Sequence, residues 1–389
     1  MKKTVWLLIW LVLAAISAAS GIRNALVYSQ DFQYDAAAAL IHGYDPYDLS
    51  LSGGEDSLEV SQLREFYGYF ENMGTPQRME ANQFPSLLYI LTPFTLLSWE
   101  GARMAWLLAN LLCTVLIAGL LRRTFFRDAD PVVFATLMLA MVSGTPWRNQ
   151  LGVGQHTLFS VMFFLMAVYF DQEGRSPYLT ALSLSLSYLK YTVTAPMALY
   201  FVYKRKWKEL LLSTVPHILG TWIAARSLGE AFPDMIRKPL KVASALSGEG
   251  SIDVGAIFHG SGMGFVLGGI LFLLLFAAAV LLKPGHDRLM MAGLVFFSLV
   301  MTYHRSYDFF VIVIPAGFLW EECRIFAFAS GARIRKAAAV SYGLVLLLMF
   351  FGLRIFQENA ASLVTTGVVY YGLTLFLGAA LTLEIRGKG

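Results

Sequence analysis

Charged residues are scarce in this sequence. Asp, Glu, Lys and Arg make up 14% of the 389 residues, whereas 57% are hydrophobic, and the mean hydropathy is +0.59. Soluble domains carry charge on roughly a quarter of their residues, so an ordinary soluble protein is excluded. Several apolar runs reach the ~20 residues that cross a bilayer. The sequence therefore predicts an all-α polytopic membrane protein with about 10 to 12 helices.

Cysteine is also rare, and this rarity excludes further classes of protein. The two cysteines, Cys113 and Cys323, form no CxxC motif, so neither a disulfide framework nor a thiolate metal site is expected. No secure repeat, low-complexity tract or long soluble linker occurs. Lys and Arg outnumber Asp and Glu by 30 to 26. They stand in short clusters between apolar runs, which indicates membrane topology and no nucleic-acid partner.

The chain reads as one integral membrane domain over residues 1–389. The predicted parts are a first transmembrane helix at 4–22, a first outer loop at 23–83, middle helices at 84–228, a second outer loop at 229–260, and C-terminal helices at 261–389. The basic start and the apolar run that follows also fit a cleavable signal peptide. Under either interpretation the residues after this run emerge on the outer face.

Two segments decide the topology of the middle region. Segment 84–99 is short and contains prolines, and segment 177–203 is interrupted by Lys190. If each crosses the membrane once, the arginines within 122–127 lie outside. If 84–99 re-enters and 177–203 is two short helices broken near Lys190, those arginines lie inside and the polar turn 147–156 faces outward. The positive-inside rule favours the second scheme.

Ionisable and polar side chains near membrane depth are the first candidates for function, because burying them in lipid is costly. The candidates are Gln155, His156, Lys190, His304, Arg305 and Asp308. Each also has a structural interpretation. Gln155 and His156 could satisfy backbone groups at a helix start, Lys190 could reach to the interface, and His304-Arg305 could form a salt bridge with Asp308.

The stretch from Asp31 to Asp48 is acidic and aromatic. Asp31 and Asp35 are one helical turn apart, so they share a face if this segment is helical. Like charges so placed raise one pKa and could create a general base. Asp31 could instead cap a helix, and Asp45 and Asp48 are typical of turns.

Several motifs resemble those of glycosyltransferase family 87. Asp31-Phe32-x-Tyr34 and Gly43-Tyr44-Asp45-Pro46-Tyr47-Asp48 are similar to the family's first outer loop. Phe84-Pro85 with Pro93, then Gly154-Gln155, Lys190 and Tyr303-His304-Arg305 follow in the family's order, over most of the chain. The sequence departs from the pattern at Ser86, where a second proline is usual, and at Thr157, where asparagine is common. Pro196 is also further from Lys190 than is typical.

The resemblance implies a GT-C type helix bundle whose first outer loop has short juxtamembrane helices. It implies inverting transfer of mannose or a pentofuranose from a polyprenyl-phosphate donor to a lipid-linked or envelope glycan acceptor. The reaction would occur on the outer face of a bacterial cytoplasmic membrane.

The resemblance also implies roles for individual residues. Asp31 matches the catalytic base, with Asp35 beside it. Lys190, His304 and Arg305 would stabilise the phosphate, while Tyr34, Tyr44, Asp45 and Tyr47, with Gln155, His156 and Asp308, would bind substrate. No metal ligand is assigned, and a divalent ion between Asp31 and Asp35 is left open.

A transporter or lipid flippase is the alternative from another class, with Lys190 and His304 in its substrate path. Transporters usually have broken helices in matching positions of two halves. This sequence has one such segment and no matching partner, which favours the enzyme.

Overall fold

A computed structural model describes residues 2–27, 33–51, 81–246, 263–285, 287–302 and 304–315. Every regular element within these residues is helical, and none is a strand. The α-helices in chain order are α1 (Lys2–Val27), α2 (Tyr34–Ile41), α3 (Pro46–Leu51), α4 (Pro85–Leu91), α5 (Trp99–Thr124), α6 (Pro131–Ser143), α7 (Thr145–Val153), α8 (Thr157–Gln172), α9 (Pro177–Ser187), α10 (Tyr191–Met197), α11 (Leu199–Tyr203), α12 (Trp207–Leu228), α13 (Phe232–Leu246), α14 (Met263–Leu281) and α15 (Asp287–Met301). Short 3-10 turns cover Thr92–Leu96, Tyr188–Lys190 and Ser306–Ile312. The all-α fold of a polytopic membrane protein is confirmed.

Two of the described helices are long and apolar enough to cross a bilayer. They are α1, over Val5–Val27, and α5, over Trp99–Thr124. At 1.5 Å per residue, each exceeds the ~30 Å thickness of the hydrocarbon core. Helices α7 and α8 are together apolar and long enough for a third crossing if they are counted as one span. They are bent by 108° at their junction. Such a broken span brings irregular backbone to membrane depth, where it must be enclosed by protein.

The first helix extends further than the sequence predicts. It runs without a break to Val27, beyond the expected end at residue 22. Much of its surface is exposed and apolar, as at Val5, Trp6, Leu8, Ile9, Leu11, Val12 and Ile16. Because such side chains are stable in contact with lipid tails, this surface suits a helix at the periphery of a membrane bundle.

Ion pairs gather at one end of the bundle, which we call the charged end. They join Arg127 to Glu173 at 2.7 Å, Lys206 to Asp171 at 2.6 Å, Lys204 to Asp287 at 2.8 Å, and Arg288 to Asp128 at 3.1 Å. Lys190 lies about 20 Å from this end, since α10 and α11 lead from it back to Lys204 at 1.5 Å per residue. The arginines within 122–127 and Lys190 are therefore well separated, which is the relative placement that the second topology scheme requires.

The two predicted outer loops meet through one lysine. Nζ of Lys238, on α13, lies 2.7 Å from Asp45, 2.8 Å from Asp48 and 3.1 Å from Glu230. Beneath it, α2, α3, α4, α12 and α13 share an apolar cluster that includes Ala36, Leu40, Tyr47, Leu88, Ala224, Met235 and Val242. The described parts of both loops therefore lie on the same side of the bundle.

The structure describes both of the doubtful segments. Pro85–Leu96 consists of α4 and a 3-10 turn, which together span about 20 Å and are too short to cross a bilayer. Segment 177–203 is broken at Tyr188–Lys190. Both features agree with the second topology scheme, and the predicted break near Lys190 is confirmed.

The prediction for one connecting segment is wrong, and another segment contains a helix that was not predicted. The expected polar turn at 147–156 is helical as far as Val153, because Pro146 suits the first turn of a helix and Gly154 ends α7. The second outer loop contains a helix, α13, whose buried Met235 and Val242 are seven residues apart and face the apolar cluster. Amphipathic spacing stabilises α13 although the segment is rich in charge.

Replacing Lys238 with methionine is expected to lower the free energy of unfolding by about 2 kcal/mol, because three carboxylates then lose their cation. Burial alone lowers the pKa of Lys238, but its hydrogen bonds to Asp45, Asp48 and Glu230 outweigh burial and raise that pKa. The contribution is therefore complete below about pH 10 and is lost as the pH rises through the raised pKa. Thermal unfolding in detergent at neutral and strongly alkaline pH measures both effects.

Arg237→Met is the matched control, since Arg237 is the preceding residue on α13 and its side chain is 71% exposed. An equal loss of stability in the two variants would contradict the role of Lys238.

Candidate active site

Three breaks in the helices converge on one buried region. The first is the turn at residues 154–156 between α7 and α8, the second is the 3-10 turn that ends at Lys190, and the third precedes Ser306–Ile312. Gly154 makes the first break because its φ of 80° is in the left-handed region, which glycine adopts without strain. Since backbone inside a helix has no spare hydrogen-bonding groups, such breaks are where polar side chains and backbone can meet.

Lys190 is central to this region and is 7% exposed. Its Nζ donates a hydrogen bond to Oε1 of Gln155 at 3.0 Å and lies 5.6 Å from the centroid of the Tyr307 ring. Its backbone N–H donates to Oγ of Ser160 at 2.8 Å, which holds the 3-10 turn against α8. A lysine ammonium has three N–H donors. In the described part of the chain, only the bond to Gln155 uses one of them.

The turn that carries Gln155 is held from two directions. Nε2 of Gln150 donates to the backbone oxygen of Gln155 at 2.5 Å. The indole N–H of Trp106, on α5, donates to the backbone oxygen of Gly154 at 2.7 Å. Because these bonds fix the backbone of the turn, the Gln155 side chain is already oriented towards Lys190 before any ligand binds.

His304 and Asp308 form a buried pair next to this turn. Nδ1 of His304 donates to Oδ2 of Asp308 at 2.8 Å, and Oγ1 of Thr157 donates to the other carboxylate oxygen. Nε2 of His304 lies 2.9 Å from the backbone oxygen of Ser298. The hydroxyl of Thr302 lies 3.1 Å from the same nitrogen, so both ring nitrogens have hydrogen-bond partners. His304 and Asp308 have no exposed surface.

These groups form one electrostatic unit. The charge of Lys190 interacts with the charge of Asp308. Tyr307, the residue before Asp308, places its ring 5.6 Å from the Lys190 ammonium. Lys190 and the ring of His304 therefore both lie close to the carboxylate of Asp308. Because two of the three N–H donors of the Lys190 ammonium have no acceptor in the described part of the chain, the region is suited to receive an anion.

Two of the predicted substrate-binding tyrosines donate hydrogen bonds to backbone groups of the protein. The hydroxyl of Tyr34 donates to the backbone oxygen of Leu97 at 2.8 Å, and that of Tyr47 donates to the backbone oxygen of Gln83 at 2.7 Å. Both side chains are buried, and burial raises the pKa of Tyr47 well above its usual value. Tyr44 is half-buried against α2. In this structure Tyr34 and Tyr47 hold the loop to the bundle.

The acids of the first loop also separate into groups. Asp45 accepts hydrogen bonds from the backbone N–H groups of Tyr47 and Asp48, at 2.9 and 3.2 Å, so it caps the start of α3, where a turn was expected. Asp35 lies in the first turn of α2, and its Oδ1 accepts from the N–H of Ala36 at 2.8 Å. Asp31 lies outside the described residues. Gln33, and not Asp31, precedes the first turn of α2.

The remaining predicted residues lie around the buried unit. His156 is 1% exposed, and its ring centroid is 5.5 Å from that of Trp106. Arg305 is exposed and in an extended conformation just before the 3-10 turn that carries Asp308. The structure therefore brings Gln155, Lys190 and Asp308 together, with His156 and Arg305 at their borders.

The start of α2 is connected to the segment that carries Lys190. Nε2 of Gln33 donates to Oδ1 of Asn82 at 3.4 Å, and the hydroxyl of Tyr191 donates to the backbone oxygen of Asn82 at 3.4 Å. The rings of Phe84 and Tyr191 are 5.0 Å apart. The first loop therefore reaches the residue that follows Lys190.

Several residues of the network were not predicted from the sequence. Thr157, Ser160, Trp106, Gln150 and Tyr307 all contact it. Thr157 was named only as a departure from the family pattern. An uncharged hydroxyl in an apolar run does not by itself indicate a functional site. The indole of Trp106 has one donor that a buried tryptophan must satisfy, but the sequence does not show where its partner lies.

The described residues contain one group of carboxylates spaced to share a cation, namely Asp45, Asp48 and Glu230. Lys238 lies within 3.1 Å of all three, so an ammonium already supplies the positive charge. These residues therefore do not fit a metal ion while Lys238 is charged. The ion left open between Asp31 and Asp35 stays a prediction.

Asp308→Asn is expected to lower the free energy of unfolding by about 3 kcal/mol, because His304 and Thr157 lose a buried charged acceptor and Lys190 loses a nearby opposite charge. Thermal unfolding in detergent measures the loss. Asp128→Asn is the control, since Asp128 also pairs with a cation, Arg288, but its side chain is 86% exposed. Equal stability of the two variants would contradict this role of Asp308.

Comparison with known proteins identifies the family. A sequence profile described as Glycosyltransferase family 87 matches residues 85–303, which is more than half of the chain. The match includes Gln155, His156 and Lys190. No curated protein and no solved structure matches the chain. The comparisons give no support to the transporter alternative, and the chain belongs to glycosyltransferase family 87, a family of membrane glycosyltransferases.

Proposed function

We propose that this protein transfers a mannose or a pentofuranose from a polyprenyl-phosphate donor to a lipid-linked or envelope glycan acceptor. The single observation that carries the proposal is the buried ammonium of Lys190, two of whose N–H donors have no acceptor in the described part of the chain. The phosphate of a lipid-linked sugar is an anion that can be delivered at membrane depth. The site would open towards the outer face of a bacterial cytoplasmic membrane, at the end opposite the charged end.

The reaction has simple electronic requirements. The oxygen of an acceptor hydroxyl attacks the anomeric carbon of the sugar, and the bond from that carbon to the phosphate oxygen breaks. A base takes the hydroxyl proton, and the bonding electrons leave with the polyprenyl phosphate, which gains negative charge. Attack from the face opposite the phosphate inverts the anomeric configuration. Cations fixed near the leaving oxygen stabilise the transition state more than the ground state.

We assign the phosphate side to Lys190. Two of its three N–H donors have no acceptor in the described part of the chain, so they can bind phosphate oxygens without breaking an internal bond. Gln155 orients the ammonium from the turn between α7 and α8. Arg305 is exposed beside the network and can add a bidentate contact.

His304 and Asp308 act as positioning residues in this proposal. Neither has exposed surface, so neither contacts a substrate in this arrangement. Asp308 joins His304 to Thr157 at the start of α8. It thereby holds the 3-10 turn of residues 306–312 against the turn that carries Gln155.

We assign the base to Asp31 on its match to the family's first-loop acid. The connection from Gln33 through Asn82 to Tyr191 supports this, because it fastens the chain two residues after Asp31 beside Lys190. Asp35 is a modulator of its charge. A divalent ion between the two acids remains a proposal that the removal of metal by a chelator would test.

Asp31→Asn is expected to reduce sugar transfer by roughly 100-fold or more, because a base contributes about 10²–10⁴ in rate. Donor binding should be unchanged, since the amide has the same shape. Transfer is measured with purified protein and a panel of polyprenyl-phosphate sugars and glycolipid acceptors. Asp48→Asn is the control in the same loop, because Asp48 contacts Lys238. Near wild-type transfer by Asp31→Asn would refute the assignment.

Lys190→Ala is expected to weaken donor binding by roughly tenfold, the effect of one lost charge-assisted hydrogen bond. Binding of a polyprenyl-phosphate sugar to the protein in detergent measures this. Lys208→Ala is the matched control, since Lys208 also lies over a tyrosine ring, that of Tyr178 at 5.2 Å, but at the charged end. Unchanged donor affinity in Lys190→Ala would contradict the phosphate role.

A further inference from the structure

A second cation with unused donors lies on α5, apart from the Lys190 network. The guanidinium carbon of Arg103 is 5.4 Å from the centroid of the Trp99 ring. Trp99 is 5% exposed and packs edge-on against Tyr34, with ring centroids 5.3 Å apart. Arg103 is therefore at the end of α5 next to the first loop, one helical turn from Trp106.

The Nε atom of Arg103 is buried and has no hydrogen-bond acceptor in the described part of the chain. No carboxylate within the described ranges forms an ion pair with it. Glu100, three residues earlier and exposed, acts on it only through space. Arginine stays charged in proteins and presents its donors in one plane. A buried charged donor without an acceptor is destabilising, so the site is suited to an anion.

A second arginine–tryptophan pair shows what is particular about this one. Arg226 lies 5.8 Å from the ring of Trp222 on α12. Trp222 is 51% exposed, and Arg226 is exposed as well. That pair is typical of a membrane interface, where both side chains reach water. In contrast, Trp99 is enclosed by α2 and α5, and the Nε of Arg103 is covered.

We propose that Arg103, seated on Trp99, is a binding site for the phosphate group of a membrane lipid. A planar guanidinium binds two oxygens of a phosphate side by side. The site is near the end of an apolar helix of 26 residues, where lipid headgroups lie. The lipid is either a polyprenyl phosphate or a phospholipid with an anionic headgroup. The proposal does not depend on sugar transfer or on Lys190.

The test is lipid binding to the full-length protein in detergent, followed by native mass spectrometry. The probes are a short-chain polyprenyl monophosphate, phosphatidylglycerol, and a polyprenol without phosphate. The variants are Arg103→Gln, Arg103→Lys, Lys190→Ala and the matched control Arg226→Gln. We expect Arg103→Gln to weaken binding of at least one phosphate lipid by roughly tenfold. Arg226→Gln should bind as the wild type does, and no variant should change polyprenol binding.

The outcomes separate the sources of the phosphate and the two proposals. A loss confined to polyprenyl phosphate identifies a lipid of the donor type, and a loss for phosphatidylglycerol identifies an anionic headgroup. Wild-type affinity of Arg103→Gln for both lipids, or an equal loss in Arg226→Gln, would overturn the site. If Arg103→Gln does not fold, Arg103→Lys decides, because lysine keeps the charge and loses the bidentate geometry. Wild-type affinity in that variant would also overturn the site, whereas Lys190→Ala tests the proposed function separately.

Discussion

The burial of Lys190, His304 and Asp308 inside an apolar bundle is the constraint on which the rest of this structure depends. Each charge would cost several kcal/mol if it were left alone in a medium of low dielectric constant. Continuous helices cannot provide the needed partners, because their backbone groups are already paired. The chain therefore breaks at Gly154, at Lys190 and before Ser306. Side chains from α8, α15 and the 3-10 turns meet at these breaks, and the energetic cost of the buried charges explains why the breaks occur where polar residues stand.

The two ends of the bundle have different electrostatic tasks. At the charged end, ion pairs connect the ends of α5, α8 and α11 with one another and with the start of α15. The more exposed pairs, Arg127–Glu173 and Arg288–Asp128, contribute little to stability. At the other end, Lys238 lies among three carboxylates and joins the two loops. Its pair with Asp45 is mostly shielded from water. The network around Lys190 lies between these ends. A site at this depth can be reached by the phosphate of a lipid while its apolar tail remains in the bilayer.

Features with a strong local signal could be predicted from the sequence. The lysine and proline within 177–203 predicted a broken helix, which is confirmed. Asp45-Pro46 predicted a turn, whereas the structure begins α3 at Pro46. His304 and Asp308 were recognised as a potential salt bridge because they are four residues apart. Helix α7 was missed, because Arg148, Asn149 and Gln150 look like a turn although Trp147 and Leu151 are buried. The partners of Tyr34 and Tyr47 were missed as well, since the direction of a side chain depends on distant residues. The sequence around Tyr34 does not indicate that its hydroxyl donates to the carbonyl of Leu97, 63 residues away.

Ser86 shows how a departure from a family pattern can be accommodated by the rest of one chain. The family usually has a second proline here, whereas the hydroxyl of Ser86 lies 2.9 Å from Nδ1 of His217 on α12. Nε2 of the same ring lies 3.0 Å from the hydroxyl and 3.1 Å from the backbone oxygen of Ser185 on α9. Only a residue without a side chain fits opposite, because a Cβ at Gly220 would come within 2.7 Å of the Ser86 Cβ. His217 thus joins α4 to α9, the helix that leads to Lys190. A proline at position 86 would remove this connection, and so Ser86, His217 and Gly220 must be considered together.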